Sequence, residues 1–394
     1  MKRSENRILV THVGALPRPQ ELGALVMTKT RGQAHDNVKL TEWLRSAVGD
    51  VVAEQVDAGI DVISDGEYGK TNWTNYIGGR LGGFEIREVK PSDTVGSGTQ
   101  AGIVGRDRKA FEDFYTDYDE NAARVRQARA GGSSPSGQDY VNVGLVEYTG
   151  QEVVSQDIGN LKAAIGSIQV SDVFMPSIGP DNVLPQIRYE YYPTEEAYVY
   201  AVADAMRSEY KAITDAGFVV QIDAPVGKFE TQNMTLETFR ARFARSVEAL
   251  NHALEGIPEE QVRFHLCYGS WHGAHAHDLE LQDIVDLVLK VNAQAYSIEA
   301  ANPRHEHEWK VWKDIKLPEG KILIPGVVTH STNTIEHPEL VADRIERFAS
   351  VVGRENIIAS TDCGLGARVH PQIAWAKLRT LSEGARKASQ NLWV

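Results

Sequence analysis

The chain has 394 residues, enough for one large core or two ordinary ones, and its 42% hydrophobic and 24% charged composition is that of a soluble globular protein. A formal charge of −13, with no long run of Lys or Arg, argues against nucleic acid and anionic membranes as partners, since clustered cations hold both. The N-terminus MKRSENRILVTHVG lacks an apolar segment of signal-peptide length, no stretch approaches the roughly 18 apolar residues of a membrane span, and two cysteines allow at most one disulfide, so a cytoplasmic protein with reduced thiols is expected.

Short apolar runs alternate with longer amphipathic stretches, the pattern of βα units around a parallel sheet. Strands are predicted at residues 8–12, 61–65, 141–148, 172–176, 218–223, 262–267, 295–299, 321–330 and 356–362. Helices are predicted at 42–58, 195–216, 236–254, 279–291, 338–352 and 373–388. That is one strand more than a (β/α)8 barrel needs. The run 141–148 follows a polar stretch containing GSGTQAG and RAGGSSPSG, so it belongs with an excursion or lid around residues 90–150. The expected architecture is a single-domain α/β TIM barrel spanning residues 1–394 with that insertion. No GxGxxG or P-loop pattern favours a nucleotide-binding fold.

Polar residues fall where the predicted strands end. His12, Asp65 with Glu67, Asp223, His265 with Cys267, Glu299, His330 and Cys363 all lie at or just after C-terminal strand ends. In a parallel barrel those ends converge on the face where chemistry is done. Taken singly, each has a bland reading. A strand-end cysteine is commonly a small buried hydrophobe, His265 could be a hydrogen-bonded core residue, and Glu299 could pair with Arg304. Taken together, two thiolates, an imidazole and a carboxylate make a tetrahedral zinc set that uses both cysteines of the protein. Thiolate-rich zinc points to chemistry at sulfur.

The segments THVGALPRP (11–19), GIDVISDGE (59–67), QIDAP (221–225), FHLCYG (264–269), YSIEA (296–300), GVVTHS (326–331) and STDCGLG (360–366) resemble, in order, the C-terminal catalytic barrel of cobalamin-independent methionine synthase. The resemblance implies a short, single-barrel relative that transfers a methyl or alkyl group to a zinc-activated thiol, with no cobalamin and with methyltetrahydrofolate as the family's donor. It implies zinc ligands His265, Cys267, Glu299 and Cys363, and a proton donor at His330. It implies that Glu67 and Asp223 meet the amino group of the thiol amino acid, and that His12 and Ala15 lie in the motif that helps hold the substrate. For Glu67 and Asp223 the alternative is helix capping or pairing with Lys70 and Lys228.

Three departures stand out. Ala15 occupies a place where the family usually has a serine for the amino acid carboxylate. The stretch DVFMPSIGPDNVLPQIRYEYYP lacks the tryptophan that stacks on the pterin, leaving Phe174, Tyr189 and Tyr192 as substitutes. The family's N-terminal barrel is absent. A different thiol or donor, such as coenzyme M in epoxyalkane metabolism, is therefore a second expectation. For an anionic thiol the candidate cations are Arg18, Lys70, Arg188 and Arg304. A structural zinc in a binding or regulatory barrel is a third. His272, His275 and His277 are expected to shape the pocket mouth, His305, His307, Trp309 and Trp312 to be structural with Arg304 or His305 within reach of the site, and Trp73 and Tyr76 to wall it. The partners are a small-molecule thiol and an alkyl donor.

Overall fold

The computed structural model describes residues 1–30, 33–88, 105–118, 120, 138–183, 189–225, 234–269, 273–366 and 368–394. Most of the polar excursion, along with Arg188, Lys228 and His272, lies outside them.

In chain order the main elements are β1 (Leu9–Val10), α1 (Gln20–Thr30), α2 (Asn37–Asp57), β2 (Val62–Ile63), β3 (Leu81–Glu88), β4 (Gln138–Tyr148), α3 (Gln151–Ile165), β5 (Asp172–Ile178), α4 (Glu195–Asp215), β6 (Val219–Asp223), α5 (Leu236–Ala253), β7 (Val262–Leu266), β8 (Ala295–Ile298), β9 (Ile322–Val328), α6 (Pro338–Val352), β10 (Ile358–Thr361) and α7 (Pro371–Leu392). Eight strands form one parallel sheet in the order β1-β10-β9-β8-β7-β6-β5-β2. A parallel bridge between Thr11 and Val62 joins its two edges. This is the expected TIM barrel. The surplus strand is β4, which pairs antiparallel with β3 outside the barrel, between β2 and β5 in the chain.

Local chemistry accounts for the elements. Strands β6, β7 and β9 are buried along their whole length; β9 reads as a continuous apolar run, while β6 and β7 also bury polar side chains, Gln221, Asp223, Arg263 and His265. Helices begin where a side chain can accept an orphan amide: Asp36 from Lys39, Thr194 from Ala197 and Thr235 from Thr238. Helices α6 and α7 both open on a His-Pro pair, with proline in the first turn, where its missing N–H costs nothing. Two small apolar clusters, Leu9, Ala295, Ile322, Ile324 and Ile358 and then Val62, Phe174 and Val219, both pack against Met1.

Helices α1 and α3 and strand β3 lie outside the predicted set, and one predicted helix is shortened. The predicted helix at 279–291 is reduced to a turn at Leu281–Asp283 and one helical turn at Val285–Val288, and the Leu281 amide donates to Glu308 Oε1 at 2.7 Å. The residues after Glu299 form a short 3-10 segment, Glu306–Lys310, followed by Val311–Asp314.

Candidate functional site

Strand β7 and the residue after it present His265 and Cys267 on one side, and the loop leaving β10 brings Cys363 to them. One ring nitrogen and the two sulfurs lie within 4.8 Å of one another. His265 Nδ1 is 3.2 Å from Ser297 Oγ on the neighbouring strand β8, while Nε2 is buried without a conventional partner. A hydroxyl that fixes one ring nitrogen and leaves the other directed at a ligand is the usual support for a metal-binding imidazole. Cys363 is drawn well below the ordinary thiol range, chiefly by its hydrogen bond with Cys267, and Cys267 is pushed correspondingly up. A thiol–thiolate pair beside a buried imidazole nitrogen, which interacts with Cys363, is a donor set that suits zinc.

Glu299 stands at the end of β8, in an adjoining group with His330 and Asp362 whose ligand atoms also lie within 4.8 Å of one another. Its oxygens accept from Asn302 Nδ2 at 2.9 Å and from the Tyr268 amide at 3.1 Å. Burial, then the neighbouring Asp362, pushes its carboxyl up to about 8. Asp362 Oδ1 accepts from the amides of Ala300 and Ala301 at 2.8 and 2.7 Å, so the loop after β10 holds the loop after β8. Gly326 on β9 makes room for this, since a Cβ there would sit 2.2 Å from Asp362 Oδ1. The structure thus brings three of the four expected ligands together and sets Glu299 beside them, within the electrostatic reach of Cys363.

Across the same mouth lie Glu67 and Asp223, both buried. Desolvation pushes Glu67 up to about 7 and Asp223 well above the ordinary range; Asp65 adds to the first, Glu67 to the second, and Cys363 to both. Lys70 and Arg18 partly offset this at Glu67. Arg18 also donates to the Tyr68 carbonyl at 2.8 Å, and Lys70 Nζ donates to the Pro176 carbonyl and sits 4.3 Å from the Tyr76 ring centroid. The Glu67 backbone is left-handed (φ 60°), a conformation unusual for a side-chain-bearing residue. Gly14 completes the fit: a Cβ at that position would lie 2.5 Å from Glu67 Oε1.

His12 is buried with both ring nitrogens in use. Nδ1 accepts from the Gly14 amide at 3.1 Å, and Nε2 therefore donates to Gln55 Oε1 at 2.8 Å. Desolvation lowers its pKa to about 3, so it is neutral. His12 thereby fixes the turn that follows β1. Ala15 packs on the loop after β10, its carbonyl accepting from the Gly366 amide at 2.9 Å.

The remaining candidates are distributed differently. Phe174 is fully buried between His12 and Arg263, 5.3 Å and 3.7 Å from its ring centroid. Tyr189 stacks on Tyr198, and the Tyr192 hydroxyl accepts from the Val146 amide at 3.0 Å. These three aromatics serve packing. Tyr76 is buried and donates to Glu209 at 2.9 Å, and Arg304 pairs with Glu280 at 3.5 Å. His305 lies flat on Tyr268 at 3.6 Å and is held between Asp278 and Glu308. His275 and His277 bind Asp278 and Asp107, each at 2.5 Å, and Tyr115 accepts from the Ala274 amide at 3.1 Å. The insertion is thereby docked on the loop that follows β7. Sequence reasoning missed Asp362, Ser297 and Asn302. The first is adjacent to Cys363 and the second shares a strand face with Glu299, so position beside a ligand was the available signal.

A sequence profile of the family described as "Cobalamin-independent synthase, Catalytic domain" matches residues 8–128 and 162–387. A methionine synthase of Saccharolobus islandicus is 25% identical over 385 residues, covering 97% of this chain and 95% of that protein. One of Sulfurisphaera tokodaii is 24% identical over 388 residues, covering 97% and 93%. Among solved structures, a B12-independent methionine synthase from Shewanella sp. W3-18-1 in complex with selenomethionine superposes with a TM-score of 0.72 at 20% identity, over 98% of this chain and 99% of that one. It shares the fold. The profile match spans most of the barrel and both cysteine-bearing strand ends, and the chain therefore belongs to the cobalamin-independent methionine synthase catalytic-domain family.

Proposed function

We propose that this protein is a cytoplasmic, zinc-dependent methyltransferase of homocysteine, with residues 1–394 forming one catalytic barrel that carries an insertion around residues 90–150. The observation that carries the reading is the convergence of His265, Cys267 and Cys363 within 4.8 Å, beside Glu299 and His330. His265, Cys267, Glu299 and Cys363 would hold the ion. Bound zinc lowers the pKa of a coordinated thiol and keeps it as the thiolate nucleophile.

The chain's own groups supply the rest. Glu67 and Asp223 are too buried to ionise cheaply alone, and a substrate ammonium is the partner that lets them do so. The pair would anchor the amino acid end while the sulfur lies near Cys363. Asn302 and the Tyr268 amide orient Glu299. In the transfer a C–S bond forms, the bond between methyl and donor breaks, and its electron pair stays on the donor. His330 would give the donor its proton. No cobalamin is required.

A second reading keeps the thiol half and changes the donor. It is favoured by Phe174, Tyr189 and Tyr192 being committed to packing, which leaves none of the three to stack on a pterin. The test is product formation by zinc-loaded protein from homocysteine and methyltetrahydrofolate. Methionine supports the first reading. Alkylation of homocysteine only from another donor, or of coenzyme M or glutathione instead, supports the second. Stoichiometric zinc without alkylation of any thiol would favour a structural metal.

A further inference from the structure

We infer that Glu336 and Lys377, neither of them near the zinc set in sequence, are positioning residues for His330. The inference rests on the proton-donor reading of His330 for its functional consequence. The geometry stands apart from that reading.

Strand β9 ends at Val328, and the chain leaves the sheet through Thr329, His330 and Ser331. The Thr329 amide no longer has a ladder partner and is buried. Glu336, seven residues on, turns back and accepts it at Oε1, 2.8 Å away. A carboxylate in that place needs a counter-charge, because an isolated buried anion is costly. Lys377, reaching in from α7, supplies it: Nζ is 2.8 Å from Glu336 Oε2, with side-chain exposures of 0% and 6%. The same ammonium also donates to the Thr334 carbonyl. On the other side of His330, Thr329 Oγ1 lies 2.8 Å from Ser331 Oγ and accepts from the Ser331 amide at 3.1 Å. The two residues that flank His330 are thus fixed to each other, and one of them is fixed through Glu336 to α7.

A buried ion pair contributes little net stability, and well-packed apolar residues commonly replace one without loss. What apolar residues cannot supply is an acceptor for the Thr329 amide. The pair therefore holds the backbone from which His330 projects toward Glu299 and Asp362.

The experiment compares Glu336→Leu/Lys377→Met with the single variant Glu336→Gln, which keeps one acceptor oxygen. Zinc-loaded protein labelled with 15N-histidine is titrated by NMR, and the His330 signals are assigned by their loss in His330→Asn. In the apolar double variant, folded and fully metallated, the His330 ring shifts and titration midpoint should move or split. Turnover should fall about 10- to 100-fold, the scale of a small misplacement of a reacting group, with KM for the thiol unchanged. Glu336→Gln should fall between the double variant and the native protein. Combined with His330→Asn, the double variant should cost nothing further, since the two changes remove one function. Native His330 signals and native turnover in a folded double variant would overturn the inference. So would full multiplication of its loss with that of His330→Asn. Should the double variant not fold, Glu336→Gln decides by the same NMR signals. If His330→Asn itself leaves turnover intact, the proton-donor reading fails, while the NMR shifts still judge the positioning.

Discussion

Glu67 and its neighbours at the barrel mouth are set at unusual backbone cost. Glu67 takes a left-handed conformation, and Gly14, at φ 133°, leaves its carboxylate the space a Cβ would fill. Gly14→Ala would place that Cβ 2.5 Å from Glu67 Oε1 and 2.7 Å from Pro176 Cγ. Steady-state kinetics should show KM for the amino-acid thiol raised about tenfold or more, with zinc content unchanged. The raised pKa of Glu67 has a thermodynamic consequence. Its folded value, about 7, lies above the ordinary 4.5, so its contribution to stability is complete below pH 4.5 and is lost as pH rises through 7. Thermal unfolding of chelator-treated protein should therefore give a smaller decline between pH 5 and pH 8 for Glu67→Gln than for the native chain. Equal declines would show that Glu67 is not held protonated by the fold. At this scale His265, Cys267, Glu299 and Cys363 were legible because each lies at or near the end of a strand-like run, where the rim of a parallel barrel falls. Asp362 and the Glu336–Lys377 pair were not, because their roles are contacts with amides of another strand's loop, or across 41 residues; Asn302 was missed although its contact, with Glu299, is only three residues away. His12 looked like a rim residue, yet it is occupied by Gln55, 43 positions away.

Among the elements, the barrel strands were readable from fully buried runs, while the hairpin was not. Strand β4 has a strong apolar pattern, but its partner β3 contains Gly82 and Gly83 and gains its register from residues some 60 positions away, as in Phe84 opposite Asn142. The segment 279–291 shows the converse, helical in pattern but folded as a short turn and a single helical turn, tertiary context overriding local propensity. The hairpin's attachment is a buried polar network. Arg80, which directly precedes β3, reaches Asp157 on α3 at 2.6 Å and Glu209 on α4 at 3.1 Å, and Tyr148 of β4 donates to Glu209 at 2.6 Å. Arg80→Met leaves two buried carboxylates without their cation and should cost about 3–5 kcal/mol. Chemical denaturation should show this loss, whereas Arg87→Met, at an exposed ion pair of the same hairpin, should leave the unfolding midpoint essentially where it is in the native chain. Similar losses for both would mean that the network does not anchor the insertion.

At the scale of the molecule, β7, β8 and β10 each deliver one or two donors to a single mouth, and β2 and β6 deliver a carboxylate pair to its other side. Among the described residues no helix is long and apolar enough to cross a membrane. The barrel brings together residues nearly a hundred positions apart, which is why the donor set needs the whole fold. Elemental analysis of purified protein should give about one zinc per chain, and the Cys267→Ala/Cys363→Ala double variant should bind none stoichiometrically. The most direct measurement is zinc-edge X-ray absorption of the native protein before and after adding homocysteine. The site proposed here predicts two sulfur ligands with nitrogen and oxygen beforehand, and a third sulfur afterwards. A coordination shell that gains no sulfur from homocysteine, coenzyme M or glutathione would contradict thiol activation at Cys267 and Cys363.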